Sequence, residues 1–503
     1  MIAHYAELLT APQVNSVHEA SLVVLEEVGV LVRNGTARER FARHGCRVDA
    51  VTDIVRFPRA LVEEMLGLVP PTFTFNARDE SLSRTIPNGN LVIATASSAP
   101  NLIDPDTGEE RRSRSDDIAR IGHLVSQLPG IDVFSISVLA DDAPENQFSL
   151  SRFYPAVKNC AKPVRTSVVD QREAEQVIRL GALVAGSESA FRARPFITFG
   201  YCSIVSPLTM DFDSTEMLMF FADHGLPAYG TIAPIGGISA PLPLIGMLAQ
   251  INAEWLATVV LAQASRPGTP MIYNFLPVVA DMRTGAYAPG AVETGICAMV
   301  IAQIARRYRV PSGSYLGLTN SKLGDAQAGF EKALSPALAS AAGIDFVVMG
   351  GLLDALMAFD FGQLVIDDEI ACMLKRSRQD LDLGSLDKSV AEIHAAGPGG
   401  MFVGHSETLA LMRTGAFLPH IADRERREVW RTAGSHDAHS SALIRAKQLL
   451  CRPNLAVIEP EVDARVRKGL GGLVPGNCEV PADWQALGSG LSRPRRARRR
   501  LLG

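Results

Sequence analysis

The chain has 503 residues, of which 47% are hydrophobic and 20% charged, and its formal net charge is −5. This balance excludes a strong attraction to nucleic acid or anionic lipid, and the length permits one large domain or two to three ordinary ones. The seven cysteines form no C-x-x-C pair, which argues against a disulfide framework or a zinc knuckle. Without a signal-peptide pattern, and with Glu254 and Asp345 interrupting the most apolar stretches, we predict a cytoplasmic protein that has no membrane span.

Residues 1–112 are predicted to form an N-terminal extension of helices and short strands. Apolar residues at helical spacing predict a helix over 16–32 and two shorter helices around 38–44 and 58–68. Short apolar runs then predict strands at Phe73–Phe75 and Leu91–Thr95.

Residues 113–455 alternate between short apolar runs and longer segments with helical periodicity. The predicted strands are 131–138, 163–169, 195–204, 228–233, 271–275, 314–318, 344–349 and, as an eighth, 401–403. The predicted helices between them are 145–158, 171–186, 214–224, 244–265, 291–309 and 326–342. Eight strand–helix units predict an α/β fold, a (β/α)8 TIM barrel with C-terminal helices. Residues 456–503 are predicted to be a tail with a disordered basic end at 493–500.

Aromatic residues fall near the carboxyl ends of the predicted strands, where such barrels place their active sites. They are Tyr201, Tyr229, Tyr273, Phe275 and Tyr315. Tyr and Phe also favour strands and fill cores, so packing remains the alternative for each one. Together they indicate a pocket that holds a cation against ring faces.

The stretch that follows the sixth predicted strand concentrates polar side chains before a helix begins. It contains Thr319, Asn320, Ser321, Lys322, Asp325, Gln327 and Glu331. A solvated turn with a helix cap explains the pattern equally well. Lys322 is one of only eight lysines, and a lysine at the end of a barrel strand is able to form a Schiff base, as in barrel aldolases.

Four other groups are weaker candidates. His405 follows the predicted eighth strand and is either a pocket residue or a buried hydrogen-bonding histidine. Glu293 either caps a helix or faces the pocket, and the acidic run 367–369 either opens a helix or supplies ligands. His436 and His439 lack a neighbouring third ligand, so we predict no metal site.

Four stretches resemble the trimethylamine methyltransferase family, in its branch without pyrrolysine that includes glycine betaine methyltransferases. They are His18–Gly29, Gly246–Leu256, Thr319–Glu331 and Gly397–His405, within a likeness that covers roughly residues 15–455. The chain departs from the family at Met401, where members often have His, and in the loop 233–243.

The resemblance implies a barrel that moves a methyl group from an N-methylated amine to the cobalt of a corrinoid (cobalamin) on a separate small protein. The chain itself would hold no tightly bound cofactor. On this basis Asp325, Glu331 or Glu293 would lie near the cationic nitrogen. His405, Asn320 or Lys322 would bind the carboxylate of a betaine, and Gln327 joins the candidate site.

Three alternatives stay open at this point. They are a tertiary-amine demethylase, an inactive protein that binds a quaternary amine, and a Schiff-base barrel aldolase that uses Lys322. We also expect a homo-oligomer, because large soluble enzymes commonly are.

Overall fold

The computed structural model describes residues 5–144, 146–202 and 204–489, so the basic stretch 493–500 lies outside the described residues. The helices are α1 Ala11–Val23, α2 Gly35–Arg43, α3 Arg59–Gly67, α4 Ser115–Ser126, α5 Phe148–Asn159, α6 Gln171–Ala185, α7 Glu188–Ala193, α8 Phe212–His224, α9 Leu244–Ser265, α10 Val292–Tyr308, α11 Ala326–Ala341, α12 Phe361–Ser377, α13 Leu386–Ala396, α14 Ser406–Leu411, α15 Arg427–Thr432, α16 Ala438–Leu450, α17 Pro460–Gly469 and α18 Ala482–Ser489. A π-helical turn at Val24–Val28 follows α1, and 3-10 turns lie at Glu80–Leu82, Asp354–Leu356 and Leu383–Ser385.

The strands are short. They are β1 Val30–Val32, β2 Arg47–Val48, β3 Ile54–Arg56, β4 Phe73–Phe75, β5 Arg84–Ile86, β6 Val92–Ala94, β7 Asn101–Ile103, β8 Glu110–Arg112, β9 Phe134–Ser135, β10 Val164–Ser167, β11 Ile197–Tyr201, β12 Thr209–Met210, β13 Ala228–Gly230, β14 Ile235–Gly236, β15 Tyr273–Phe275, β16 Val278–Asp281, β17 Ala286–Ala288, β18 Ser312–Tyr315, β19 Phe346–Val348, β20 Leu352–Leu353 and β21 Ala358–Phe359.

Eight of these strands form two four-stranded parallel sheets. Their orders are β13-β11-β10-β9 and β15-β18-β19-β6. Single parallel bridges also join Ala94 to Val133 and Ile232 to Phe275, between the two sheets. Each of the eight strands is followed along the chain by a long helix: α4, α5, α6, α8, α9, α10, α11 and α12. Because the strands run the same way, their carboxyl ends gather at one edge, which is where α/β enzymes place ligand sites.

Aspartate side chains define where four of these helices begin. Asp170, Asp211, Asp325 and Asp360 each accept a hydrogen bond from the backbone N–H three residues on, at the starts of α6, α8, α11 and α12. An N-cap of this kind satisfies a donor that the first helical turn leaves free. At these four positions the loop between strand and helix therefore ends at a defined residue, near the carboxyl edge of the parallel sheets.

The N-terminal residues pack on α9. Strand β1 pairs with β3 and, in parallel, with β12, and helices α1 and α3 lie against α9. Helix α9 is long and apolar enough to cross a membrane, but 72% of its most apolar window is buried inside the protein, so it is a core helix. The helix predicted over 16–32 instead begins at Ala11 and gives way to β1 at Val30.

The β4–β5 hairpin covers the amino ends of the parallel strands. The rings of Phe73 and Phe75 lie 5.9 and 6.0 Å from that of Tyr229, and Phe75 lies 4.9 Å from Phe346. Phe346 is the first residue of β19, so this aromatic cluster closes the end opposite to the strand carboxyl ends. Such packing contributes to stability through burial and edge-to-face contact.

The prediction of a strand at Met401–Val403 is wrong. The stretch is coil and turn, and its side chains are 42% to 77% exposed. Strand β6 lies in its place beside β19, with Val92 opposite Phe346 and Ala94 opposite Val348. The other seven predicted strands overlap strands of the structure, and the six predicted helices are confirmed with small shifts at their ends.

The C-terminal part begins with a surface segment. Helices α13, α14 and α15 contain no buried side chain, whereas α16 packs along α12 with Leu449 and Leu450 buried. Helix α18 places Trp484 against α16, where its Nε1 donates to Asp106 Oδ1 at 2.8 Å.

Candidate functional site

The carboxyl ends of the eight parallel strands carry hydroxyl, amide and apolar side chains. The stretches concerned are 95–98, 135–138, 166–168, 200–202, 230–232, 274–276, 315–318 and 348–350, and none contains Asp, Glu, His or Lys. One charged residue, Arg165 of β10, lies immediately before them. The charge inside this edge of the sheets is therefore positive.

Arg165 is 4% exposed. Its Nη1 donates to Ser135 Oγ at 3.1 Å and to the hydroxyl of Tyr315 at 3.0 Å, and the guanidinium carbon lies 4.6 Å from the ring centroid of Tyr229. Among the described residues, no carboxylate forms a salt bridge with it and its Nε has no hydrogen-bond partner. Burial acts to lower the pKa of Arg165, but the phenols of Tyr229 and Tyr315 and the hydrogen bond to Tyr315 outweigh it, so its pKa is raised and the buried guanidinium stays charged.

A second arginine without an acidic partner within the described ranges is Arg152 of α5, which is 2% exposed. Its Nη2 donates to Ser98 Oγ at 2.8 Å and to Thr166 Oγ1 at 2.5 Å, and its Nε has no partner there either. Burial and then the charge of Arg165 lower the pKa of Arg152 to about 10. Two guanidinium groups thus share one dry, positively charged region.

Tyr315, at the end of β18, faces the same region. Its hydroxyl accepts from Arg165 and lies 3.4 Å from Ser97 Oγ. Burial acts to raise the pKa of this phenol, but the charge of Arg165 and hydrogen bonds to neighbouring groups outweigh it, so the pKa is lowered from 10.0. The pKa of the Tyr315 phenol therefore depends directly on the charge of Arg165.

Several buried polar atoms of the parallel strands also lack partners among the described residues. They are Thr198 Oγ1, the Tyr229 hydroxyl and Asn274 Oδ1. Strand register places Thr198 opposite Arg165 and Tyr229 opposite Gly200. A Cβ on Gly200 would lie 2.5 Å from Arg165 Nη2, so glycine there leaves room for the guanidinium. Unsatisfied buried groups are rare in native proteins, and a cluster of them is typical of a binding site.

Glu331 of α11 orders the loop after β18. Its Oε2 accepts from Thr319 Oγ1 at 2.6 Å and Asn320 N at 2.8 Å, and its Oε1 accepts from Gln327 Nε2 at 3.0 Å. Asn320 Nδ2 donates to the carbonyl of Tyr287 at 2.8 Å. The predicted residues Glu331, Asn320 and Gln327 are thus brought together, and β17 adds Tyr287.

Tyr287 connects this loop to the arginine region. Burial and then the charge of Tyr315 raise the pKa of Tyr287, so the two phenols lie close enough for their ionisations to interact. Tyr287 is thus joined through its backbone to the loop that Glu331 orders, and Tyr315 is joined through its hydroxyl to Arg165.

Lys322 and Asp325 lie on the outer side of the loop. The Lys322 side chain is 70% exposed and its Nζ lies 3.2 Å from Asp354 Oδ1. Asp325 is exposed and caps α11 by accepting from Ala328 N at 3.0 Å. An amine nucleophile needs desolvation or a cationic neighbour to lose its proton, and an exposed, ion-paired Lys322 has neither.

The predicted wall of aromatic rings is divided between the two faces of the sheets, because side chains alternate along a strand. The Tyr273 hydroxyl donates to Asn252 Oδ1 of α9 at 2.9 Å, and the ring of Phe275 lies 4.5 Å from that of Tyr273. The ring of Tyr201 lies 6.3 Å from that of Phe221 of α8. These three aromatic residues therefore face the surrounding helices.

Tyr229 and Tyr315 face the other side. The ring of Tyr229 is already in contact with Arg165, and its edge neighbours are phenylalanines. Tyr315 is 8% exposed, so it keeps a small accessible surface beside the arginine.

His405 lies in the surface segment, whereas Glu293 lies near the start of a helix that follows a contact with the candidate loop, since Gly290 N donates to Asn320 Oδ1 at 3.3 Å. His405 is the N-cap of α14 in the surface segment, and its Nδ1 lies 3.8 Å from Glu392 Oε1. Glu293 is half-buried in the first turn of α10.

The acidic run 367–369 does not open a helix, because α12 begins at Phe361. Asp367 pairs with Lys332 at 3.2 Å, Asp368 accepts from Gly130 N at 2.7 Å, and Glu369 accepts three backbone N–H groups of residues 420–422. These carboxylates hold loops in place. Within the described residues, no group of three His, Cys, Asp or Glu side chains is placed to hold a metal ion.

Four residues near the strand ends were not predicted from the sequence: Arg165, Arg152, Asn274 and Tyr287. One signal was available: a buried parallel strand normally reads as a continuous apolar run, and an arginine within the run 163–169 departs from that rule. The other three carry no such mark, since only strand register and helix packing bring them to the same edge.

Comparison with known proteins places the chain in a family. The profile of the family described as trimethylamine methyltransferase (MTTB) matches residues 2–470. A glycine betaine methyltransferase of Desulfitobacterium hafniense (strain Y51) is 29% identical over 463 residues, which is 92% of this chain and 95% of the relative. The trimethylamine methyltransferase MttB of D. hafniense (strain DSM 10664 / DCB-2) is 28% identical over 86% of this chain and 87% of its own. The trimethylamine methyltransferase MttB2 of Methanosarcina mazei is 29% identical over 93% of this chain and 94% of its own. The chain therefore belongs to the trimethylamine methyltransferase family and is a methyltransferase.

Proposed function

We propose that this methyltransferase takes a methyl group from a quaternary amine, glycine betaine or a related betaine. The acceptor is the Co(I) centre of a corrinoid carried by a separate protein, which makes the corrinoid a second substrate. The similarity to a protein named glycine betaine methyltransferase supports the donor. Membership of the trimethylamine methyltransferase family supports the choice of a corrinoid acceptor.

We also propose that the eight parallel strands close into a (β/α)8 barrel. The two sheets end in β9 and β6 on one side and in β13 and β15 on the other. The bridges Ala94–Val133 and Ile232–Phe275 lie at those two junctions. Eight parallel strands, each followed by a helix, fit this closure.

The composition of the strand carboxyl ends carries the choice of a quaternary amine. When a quaternary ammonium loses a methyl group, the C–N bond breaks with its electron pair remaining on nitrogen. As that bond breaks, the methyl carbon bonds to cobalt through the electron pair that Co(I) supplies in an in-line displacement. The departing amine is neutral and needs no proton, so a site without Asp, Glu, His or Lys at the strand ends suits this reaction.

The protein's contribution is then positioning and electrostatics. Glu331 lies half-buried at the loop after β18 and keeps its carboxylate orientation through three hydrogen bonds. Tyr315 contacts Arg165, and Tyr287 is bonded through its backbone carbonyl to Asn320 of the loop that Glu331 orders. In this arrangement the cationic nitrogen lies toward Glu331 and the rings, where a positive charge is stabilised.

The test is methyl transfer to free cob(I)alamin by the full-length protein, with glycine betaine, choline and trimethylamine as separate donors. We expect methylcobalamin from glycine betaine, at a rate that changes little between about pH 6 and 9, because no general acid is required. Transfer from trimethylamine alone, or a rate that falls steeply as an acid deprotonates, would favour a tertiary-amine demethylase. Binding of betaine without methylcobalamin would identify an inactive relative.

Lys322→Ala is the matched control for the Schiff-base alternative. Because the ammonium is exposed and paired with Asp354, we expect the rate to change less than about twofold. Loss of activity in this variant, together with borohydride trapping of a carbonyl substrate, would instead support an imine mechanism.

A further inference from the structure

We propose that Arg165 binds the carboxylate of the methyl donor and that Arg152 strengthens the same anion subsite. The inference rests on the proposed function for the identity of the donor. It assigns the recognition of the acidic end of a betaine to β10 and α5. The candidates from the sequence were His405, Asn320 and Lys322.

The first step is the charge balance. Both guanidinium groups are almost fully buried, and within residues 5–144, 146–202 and 204–489 neither forms a salt bridge with a carboxylate. The other buried arginine, Arg378, is handled differently, because its Nε and Nη2 donate to Ser340 and to the carbonyl of Ile344. The chain therefore satisfies Arg378 with its own oxygens but leaves Arg165 and Arg152 incompletely paired in one region. We infer that this region has a place for an anion.

The second step is the free donor. Both hydrogen bonds of Arg165 to described residues come from Nη1, so its Nε and Nη2 remain for another acceptor. Gly200 has no side chain to cover Nη2. A carboxylate accepts two parallel N–H bonds from one edge of a guanidinium, and the edge formed by Nε and Nη2 presents such a pair.

Arg152 supplies a second positive charge close to Arg165. Arg152 is held by Ser98 and Thr166, and the charge of Arg165 lowers its pKa, so the two cations act on each other. The acid whose charge favours the protonated Arg152 is Glu173, whose Oε2 accepts from Ser149 N at 2.8 Å. An incoming carboxylate would relieve the repulsion between the two guanidinium groups.

The last step is the polarity of the whole site. A series of contacts runs from Arg165 to Tyr315, and from Tyr287 through Asn320 to Glu331, and the charge of Tyr315 acts on Tyr287. A zwitterion with a carboxylate at one end and a quaternary ammonium at the other matches this order of charges. A cation without a carboxylate, such as choline or tetramethylammonium, leaves Arg165 unpaired and binds more weakly.

The test is calorimetric binding of glycine betaine and choline to the full chain without cobalt. We expect the wild-type protein to prefer glycine betaine, and Arg165→Met to weaken glycine betaine about 30-fold or more while choline changes less than about threefold. Arg165→Lys should recover part of the affinity. Arg283→Met, at an exposed arginine paired with Asp281, is the control and should change neither.

A thermal melt separates this role from a purely structural one. If Arg165 is kept for a ligand, the ligand-free Arg165→Met protein should melt no more than a few degrees below the wild type, and glycine betaine should raise only the wild-type midpoint. A large loss of stability without ligand, or unchanged betaine affinity in Arg165→Met, would overturn the inference. So would a wild-type protein that binds choline as tightly as glycine betaine.

The betaine-binding experiment and the methyl-transfer experiment can fail independently of each other. Tight betaine binding that depends on Arg165, without methyl transfer, would contradict the proposed reaction and leave the subsite standing. Methyl transfer from glycine betaine with equal KM in wild type and Arg165→Met would support the proposed reaction and contradict the anion subsite.

Discussion

Arg165 and Tyr315 form a pair in which one side chain sets the acidity of the other. Without the arginine, a phenol as buried as Tyr315 would have a raised pKa, as Tyr201 and Tyr273 have through burial. Opposite charge and hydrogen bonding reverse the direction at Tyr315 alone among these three.

We predict that Tyr315 ionises before the other buried tyrosines in an alkaline titration followed by tyrosinate absorbance. The pKa of Tyr315 is lower in the folded protein than in the unfolded chain. Ionisation of Tyr315 therefore stabilises the fold, and this contribution is complete at pH values above the ordinary pKa of 10.0. That contribution is lost as the pH falls through the lowered pKa. The early step should disappear in Tyr315→Phe and move to higher pH in Arg165→Met, and an unchanged titration in both variants would contradict the pairing.

Single residues also explain why some predicted site positions differ from those in the structure. Lys322 and Asp325 belong to a polar loop whose composition fits both a site and a capped helix, and the structure gives them exposed positions with local partners. Glu331, six residues after Asp325, lies instead on the inner side of α11. Composition predicts that the loop is polar, whereas the direction of each side chain depends on where the helix starts.

At the level of elements, strand pairing was the part least accessible from the sequence. Apolar runs at 92–94 and 401–403 look alike, yet only the first pairs with β19. A three-residue run contains no information about its partner, because pairing depends on elements far away in the chain. The helices were easier to predict, since their periodicity and their Asp caps are local properties.

The buried ion pair Lys332–Asp367 links α11 to α12 beside the site. Both side chains are fully buried at 3.2 Å, Lys332 also donates to the carbonyls of Gly317 and Leu352, and Asp367 accepts from Gly351 N. These contacts connect both helices to the loops after β18 and β19.

We predict that Asp367→Asn lowers the free energy of unfolding by about 3–5 kcal/mol, because it leaves the buried Lys332 ammonium without its counter-charge. Urea unfolding measures the loss. The double variant Lys332→Met with Asp367→Leu should recover part of the stability, since it removes both charges. A double variant less stable than Asp367→Asn would contradict this account.

For the whole molecule, the N-terminal extension predicted at 1–112 supplies one strand of the parallel sheets, β6. Strand β6 pairs with β19, and the β4–β5 hairpin packs on Tyr229 and Phe346. Removing this section would expose the edge of β19 and the aromatic cluster to water.

We therefore predict that a fragment of residues 113–503 does not fold by itself. Its circular dichroism should lack a cooperative melt, while co-expression with a 1–112 fragment should restore a complex that melts cooperatively. A fragment 113–503 with wild-type stability would contradict this prediction, because it would show that β6 and the hairpin are not needed for the rest of the chain to fold.

The homo-oligomer stays a prediction, and so does the cytoplasmic location. The surface segment 379–436 exposes several apolar side chains, including Leu381, Ile393 and Met412. Exposed apolar clusters are common at contacts between proteins, and the mass of the particle in solution, relative to the 54.0 kDa chain, measures this directly.

The sequence by itself determined the alternation of short apolar strands and periodic helices, the family, and the polar loop around Glu331. These features depend on local spacing and motifs that remain readable along one chain. Only the tertiary structure decided that β6 pairs with β19, that Tyr273 and Phe275 face helices, and that Arg165 lies buried beside Tyr315 without an acid among the described residues. The physical reason is that strand register and burial arise from contacts between distant segments, and a charge acquires its meaning only from the groups that surround it.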